Sequence, residues 1–286
     1  MVIAIASGKG GTGKTMLATG IALSISNSVY MDCDVEEPNG HIFLKPEITN
    51  KITVQKKIPK IVTQMCNLCG KCTEVCEFNA LLKLRDEILV FKELCHSCGA
   101  CTYFCPQTAM MEVDEKIGKV EIGIAKSSNV RFVEGRLDIG QMSATPVINK
   151  TKEQIERDKI NIIDAPPGTS CSMVETVRDS DYCILVTEPT PFGLNDLQLA
   201  VDALRILKTP FGVVINKADD NYTQVEEYCK KENVEVILKI PFDKNVAHAY
   251  SNGQSIIEVL PEYKYIFSNL VNTISTKVEG IEIEQN

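Results

Sequence analysis

With 286 residues, 44% of them hydrophobic and 24% charged, the chain has the balance of a globular protein of one large or two small domains, not of a disordered one. Its net charge of −8 argues against non-specific binding to nucleic acid or anionic membranes, both of which need a basic surface. No apolar run approaches the ~18 residues of a membrane span. Met1 runs directly into Val2-Ile3-Ala4 with no basic leader, so a cytoplasmic location is expected.

The first predicted element is a short apolar strand, Val2–Ala6. Ser7-Gly8-Lys9-Gly10-Gly11-Thr12-Gly13-Lys14-Thr15 follows at once, and Met16, Leu17, Ile21, Ala22 and Ile25 then recur at helical spacing. Strand, glycine loop and helix in that order make a phosphate-binding loop. Its glycines let backbone N–H groups converge on phosphate oxygens, and the helix start adds partial positive charge. Lys14 is expected to bridge β- and γ-phosphate oxygens and the Thr15 hydroxyl to ligate Mg²⁺. Gly8, Lys9, Gly10, Gly11, Thr12, Gly13 and Met16 complete the expected nucleotide cradle. A second strand over 29–32 ends in Asp32-Cys33-Asp34-Val35-Glu36-Glu37-Pro38-Asn39, with two carboxylates at its end.

Eight of the twelve cysteines lie between Cys66 and Cys105. The first run is Cys66-x-x-Cys69-x-x-Cys72-x-x-x-Cys76 and the second is Cys95-x-x-Cys98-x-x-Cys101-x-x-x-Cys105. Each cysteine of the second run lies 29 residues after its counterpart, which marks an internal duplication. Structural zinc and disulfides are the alternative readings. Zinc sites pair two C-x-x-C units across a longer gap, and disulfides do not persist in a reducing cytoplasm.

After the cysteines, 131–140 returns to the sheet, with charges to which the sequence assigns no role. The strand Ile160–Asp164 runs into Ala165-Pro166-Pro167-Gly168-Thr169, and Tyr182–Thr187 follows. A strand over 212–216 ends in Asn216-Lys217-Ala218-Asp219, and one over 236–240 runs into Pro241-Phe242-Asp243. Strands alternating with helical stretches predict an α/β fold with a doubly wound, mostly parallel sheet and ligands at its C-terminal strand ends. Composition shifts divide the chain into a discontinuous P-loop NTPase domain, 1–56 and 114–286, and an inserted small α+β domain, 57–113. An amphipathic helix over 263–271 is followed by Glu279, Glu282 and Glu284, an acidic tail unlike a basic membrane-binding helix. His41, His96 and His248 share no spacing that points to a metal or catalytic site.

Gly8-Lys9-Gly10-Gly11-Thr12-Gly13-Lys14-Thr15 resembles the deviant Walker A loop of the MinD/ParA/nitrogenase-iron-protein family of P-loop ATPases. The resemblance implies that Lys9 reaches across a homodimer interface to the partner's nucleotide, where it acts with Lys14. Asp32-Cys33-Asp34 resembles that family's switch I, which implies that Asp34 positions or activates the attacking water and that Asp32 lies near Mg²⁺. The 160–169 segment resembles its Walker B and switch II, with Asp164 on Mg²⁺ through water. Asn216-Lys217 resembles the adenine-reading pair, and Pro241 and Asp243 belong to the segment that backs adenine. Taken literally, Asn216-Lys217-Ala218-Asp219 also matches the guanine-reading motif of GTPases, so ATP is expected and GTP is the alternative.

The cysteine spacing resembles that of bacterial two-cluster ferredoxins, in which the fourth cysteine of each run serves the other cluster. Carried over, Cys66, Cys69, Cys72 and Cys105 hold one [4Fe-4S] cluster, and Cys95, Cys98, Cys101 and Cys76 hold the other. The chain departs from the pattern where Glu77, in place of proline, follows Cys76; Pro106 follows Cys105 as expected. Cys183, in an apolar strand, and Cys229, in a polar helix, read as packing or neutral surface thiols. Cys171 lies in the switch II segment, where the nitrogenase iron protein carries a cluster-bridging cysteine, and Cys33 lies in switch I. The combined resemblance implies a Mg-ATP-dependent dimeric switch tied to electron transfer or to metallocluster assembly and delivery, with a redox protein or metalloprotein client and no nucleic-acid or membrane partner. The alternatives are a ferredoxin-like carrier or scaffold holding a structural nucleotide, and a cargo-positioning ATPase of the ParA type.

Overall fold

The apolar run after Met1 forms a strand buried on both faces in the computed structural model, which describes every residue except 127, 220, 221 and 286, and the side chains up to 280. The expected acidic side chains Glu282 and Glu284 lie outside the described residues. In chain order the strands are β1 (Val2–Ala6), β2 (Ser28–Asp32), β3 (Pro46–Ile61), β4 (Leu81–Lys83), β5 (Ile88–Val90), β6 (Met110–Ala125), β7 (Arg131–Leu137), β8 (Ile160–Asp164), β9 (Tyr182–Thr187), β10 (Phe211–Ala218) and β11 (Val236–Pro241). Nine of them make one sheet in the order β11-β10-β9-β1-β8-β2-β7-β6-β3. From β11 to β7 all neighbours are parallel. β6 and β3 close that edge antiparallel.

Alternation along β1 explains the two-layered core. Ile3 and Ile5 point into one cluster with Leu17, Ile21 and Phe267, whereas Ala4 and Ala6 point into another with Leu185, Leu197 and Val201. The helix Lys14–Ser24 covers the first face, and the final helix, Tyr263–Gln285, packs on it much further along the chain than the nine residues predicted. They meet closely at Gly20, where an added Cβ would lie 2.7 Å from the Phe267 ring. Among the described residues no helix is long and apolar enough to cross a membrane.

β3 and β6 are paired over their whole length, but β7 covers β6 only from Ile124 to Gly118. Beyond that point 55–61 and 110–117 leave the sheet as a two-stranded ribbon. At ~3.4 Å per residue the ribbon reaches about 24 Å past the C-terminal end of β7. The boundaries expected at 57 and 113 therefore fall inside continuous strands: Lys57 pairs with Asp114 in register, and their side chains make a 2.8 Å ion pair. Charged residues on both faces of this ribbon produce the composition shift that reads as a boundary.

Residues 62–109 form the tip, with the hairpin β4–β5 and two short helices, Lys71–Glu74 and Ala100–Tyr103. The 29-residue duplication extends to the backbone. Left-handed φ angles recur at Leu68 and Ser97 (57° and 56°), Gly70 and Gly99 (86° and 72°), and Asn79 and Thr108 (51° and 49°). The tip's small core consists of Leu81, Ile88 and Met110 packed among cysteines.

Candidate functional site

A cavity of about 340 Å³ opens at the C-terminal ends of the parallel strands, within the ~300–1,000 Å³ typical of small-molecule sites. Gly10, Gly11, Gly13, Lys14, Thr15 and Met16 line one side of it. Added Cβ atoms at Gly10 and Gly11 would meet nothing within 4 Å, so their backbone faces open space. Gly13, at φ +91°, is required twice over, because a Cβ there would also lie 2.3 Å from Asn216 Nδ2. Asn216 lines the cavity while its Nδ2 donates to the Thr12 carbonyl at 2.8 Å, tying the end of β10 to the loop. Lys217, Pro241, Phe242, Asp243 and Tyr250 form the opposite side. Asp219 lines a neighbouring cavity with Glu188 and Lys239.

Beneath the loop, Asp32 and Asp164 stand side by side in register on β2 and β8, both buried. Tyr30, two residues before Asp32 and on the same face, brings its hydroxyl to 3.3 Å from Asp32 Oδ2 and 3.2 Å from Asp164 Oδ2. Backbone N–H groups of Asn39 and Gly40 donate to Asp32 Oδ2 at 3.1 and 2.9 Å, and that of Asp34 donates to Oδ1 at 3.1 Å. Burial and the neighbouring Asp164 carboxylate push Asp32 well above the usual carboxylate range. Burial likewise raises Asp164 to about 6, with Lys14 opposing. Asp34 rises to about 7 through burial and Asp164. Lys14 is lowered by burial, against the pull of Asp164, Asp34 and Asp32. Asp32 and Asp164 side by side, with an Asp164 Oδ1 that has no hydrogen-bond partner among the described residues, offer oxygen donors to a divalent cation held jointly with a bound phosphate.

Not every predicted residue reaches the cavity wall. Gly8 is needed behind it, since a Cβ there would lie 2.2 Å from the Asp196 carbonyl. Lys9 turns to Glu188 of its own chain at 3.3 Å, and the same carboxylate holds Lys217 at 2.6 Å. The unassigned charges of β7 also find partners: Glu134, in register with Asp32, is held by His41 at 2.7 Å and by Arg136 at 2.6 Å.

The eight clustered cysteines line two small cavities in the tip. One holds Cys76, Cys95, Cys98 and Cys101, and the other Cys66, Cys69, Cys72 and Cys105. Each cavity thus combines three cysteines of one run with the last of the other. Backbone N–H groups of Ala80 and Ala109 point at Cys76 and Cys105 Sγ at 3.3 Å each, and that of Ser97 at Cys95 Sγ at 3.4 Å. Such donors suit sulfurs carrying negative charge. All twelve cysteines are free, and among the described residues no three His, Cys, Asp or Glu side chains converge tightly enough for a single ion. The thiols instead surround a space, as the ligands of a multi-iron group do. Cys33 is wholly buried, and burial pushes its thiol well above the usual cysteine range, so it is a core residue. Cys183 and Cys229 are buried as well, whereas Cys171 is exposed.

Residues 3–256 match the CobQ/CobB/MinD/ParA nucleotide binding domain. The chain belongs to this family. An uncharacterised protein of Methanocaldococcus jannaschii is 32% identical over 259 residues, 88% of each chain. An iron-sulfur cluster carrier protein of the same organism is 26% identical over 135 residues, 42% of this chain and 47% of that protein. Among solved structures, the septum site-determining protein MinD of Pyrococcus horikoshii, complexed with Mg-ADP, shares the fold. Its TM-score is 0.58 at 18% identity, over 98% of this chain and 97% of that one.

Within this CobQ/CobB/MinD/ParA member, Tyr30, Glu188 and Tyr250 are among the site residues that sequence reasoning missed, as are Val246 and Ala247 in the cavity wall. Tyr30 had one signal, its i−2 spacing from Asp32 on a strand. Glu188 and Tyr250 had none, because the first acts through a loop contact and the second is oriented by stacking on Phe43 at 4.7 Å.

Proposed function

We propose that the chain is a Mg-ATP-dependent dimeric ATPase switch whose nucleotide state governs two [4Fe-4S] centres in the tip, for electron transfer to a client protein or for cluster assembly and delivery. One observation carries the reading. The loop that follows Asp34 is linked through the end of β7 to the root of the ribbon that bears the cysteine cavities. Val35 O accepts from Leu137 N at 2.8 Å, and Ile117 O, on the ribbon side, accepts from Asp138 N at 2.8 Å. The distant iron-sulfur cluster carrier relative supports the cluster half of the reading.

Family membership supports the nucleotide half. Lys14 and the loop N–H groups bind and orient the phosphates, while Thr15, Asp32 and Asp164 would hold Mg²⁺. The cation, when bound, supplies neutralisation of the charge on the transferring phosphoryl group. Asp34 holds the attacking water by accepting a hydrogen bond, and Lys9 of a second copy adds positive charge at the phosphates. ATP is favoured over GTP because Asp219, the residue that would read guanine, lines the neighbouring cavity. The two cysteine sets would hold the clusters, which supply one-electron chemistry when bound.

The test is anaerobic purification followed by iron and sulfide assays and an EPR redox titration with Mg-ATP and with Mg-ADP. The expected result is about eight irons per chain and potentials and oligomeric state that differ between the nucleotides. Potentials and oligomeric state that ignore the nucleotide would refute the coupling.

A further inference from the structure

The two cysteine cavities are alike in ligands but not in electrostatics. Lys56, on the ribbon, is buried, with only 5% of its surface exposed, and its Nζ donates to the Cys95 carbonyl at 3.0 Å. It makes no ion pair among the described residues, because Glu115, directly across the ribbon from it, is bound to Lys92 at 2.5 Å. A buried cation without a counter-ion is costly unless the structure supplies negative charge nearby. The other charges at this cavity are Lys57, exposed and paired with Asp114, and Glu112, exposed to water. Both are screened, and Lys56 is not. At the second cavity the lysine is Lys71, exposed and paired with Glu74 at 3.0 Å.

Position separates the cavities too. The first adjoins ribbon residues Lys57, Pro59 and Glu112 and therefore lies nearer the sheet, whereas the second adjoins Ala109 and Met110 at the ribbon's outer end. Resting on the cluster reading above, we infer that Lys56 makes the sheet-proximal centre, held by Cys76, Cys95, Cys98 and Cys101, the more easily reduced of the two. Reduction adds one negative charge to a centre, and a buried positive charge beside it favours that form. Lys56 is a positioning residue for charge, not a ligand.

The experiment is an EPR-monitored titration with dithionite of the full-length, anaerobically purified protein, beside Lys56→Met, Lys56→Arg and Cys69→Ser, each with iron and sulfide assays. Two separate one-electron steps are expected in the unaltered protein, with Cys69→Ser perturbing only the lower-potential signal. Lys56→Met should lower the higher potential alone at unchanged iron content, and Lys56→Arg should restore it. Coincident potentials, a higher-potential signal lost in Cys69→Ser, or a Lys56→Met variant with both potentials unchanged would each overturn the inference. If Lys56→Met fails to assemble, the unaltered protein and Cys69→Ser decide the order of potentials by themselves. Protein lacking iron and sulfide would refute the cluster reading itself, a failure distinct from normal iron with unshifted potentials.

Discussion

Lys9 Nζ lies 3.3 Å from Glu188 Oε2, while Glu188 Oε1 holds Lys217 at 2.6 Å, so one carboxylate anchors two lysines at the edge of the nucleotide cavity. For Lys9 to reach a second copy's nucleotide it must leave Glu188. The pair is partly exposed, so it is worth at most about 1 kcal/mol. Each dimer breaks two such pairs, so Glu188→Gln should tighten Mg-ATP-dependent dimerisation by up to about thirtyfold, measured by sedimentation at several protein concentrations. A weaker dimer would show that Glu188 supports association instead of restraining Lys9. Lys9→Ala should still bind ATP yet fail to dimerise with it.

The two halves of the molecule should respond independently to loss of their ligands. Lys14→Ala removes the buried lysine from among Asp32, Asp34 and Asp164 and should abolish nucleotide binding in calorimetry, with the visible and EPR spectra of the iron centres intact. Cys98→Ala should lose one centre, read as about half the iron, and keep its nucleotide affinity. Loss of both properties in either variant would contradict separate nucleotide and cluster modules.

Tyr30 shares one hydroxyl between two buried carboxyl groups. Tyr30→Phe leaves those oxygens without that donor and should cost about 1–3 kcal/mol of stability in urea unfolding without Mg²⁺. Mg²⁺ with nucleotide should narrow the difference, because a cation bound by the same two carboxyl groups balances their charge. A variant as stable as the parent without Mg²⁺ would mean that water replaces the hydroxyl freely.

Gly135 has no room for a side chain, since a Cβ would lie 2.4 Å from Thr151 Oγ1 and 2.7 Å from Val35 Cγ1. Gly135→Val should destabilise the fold by about 1–3 kcal/mol. By displacing Val35 it should also slow ATP hydrolysis more than it weakens ATP binding, as compared in single-turnover and equilibrium assays. Equal losses in both would place the damage in the cavity and not in switch I.

Much of the nucleotide site is legible in sequence because it is built locally. Gly8 to Thr15 turn directly from β1 into the first helix, so the glycines, the lysine and the hydroxyl follow from chain order alone. The cysteine duplication is legible for a similar reason, and its 29-residue offset recurs in the left-handed positions of the backbone. The ribbon is not. Its partners lie far apart in the chain, Gln55 against Lys116 and Lys60 against Met111, and its buried face carries Lys56 between Val54 and Ile58, so the alternation of buried and exposed positions is not written as apolar and polar residues.

The amino-acid sequence by itself determined the loop type, the acidic strand ends, the two cysteine runs and the mostly parallel sheet, because each depends on short-range spacing. Only the tertiary structure decided that Lys9 rests on Glu188, that Tyr30 bridges two carboxyl groups, and that Lys56 is buried beside Cys95. Those contacts depend on which strands lie side by side and how far a ribbon extends, and burial then sets the strength of each charge. Chain spacing carries neither quantity.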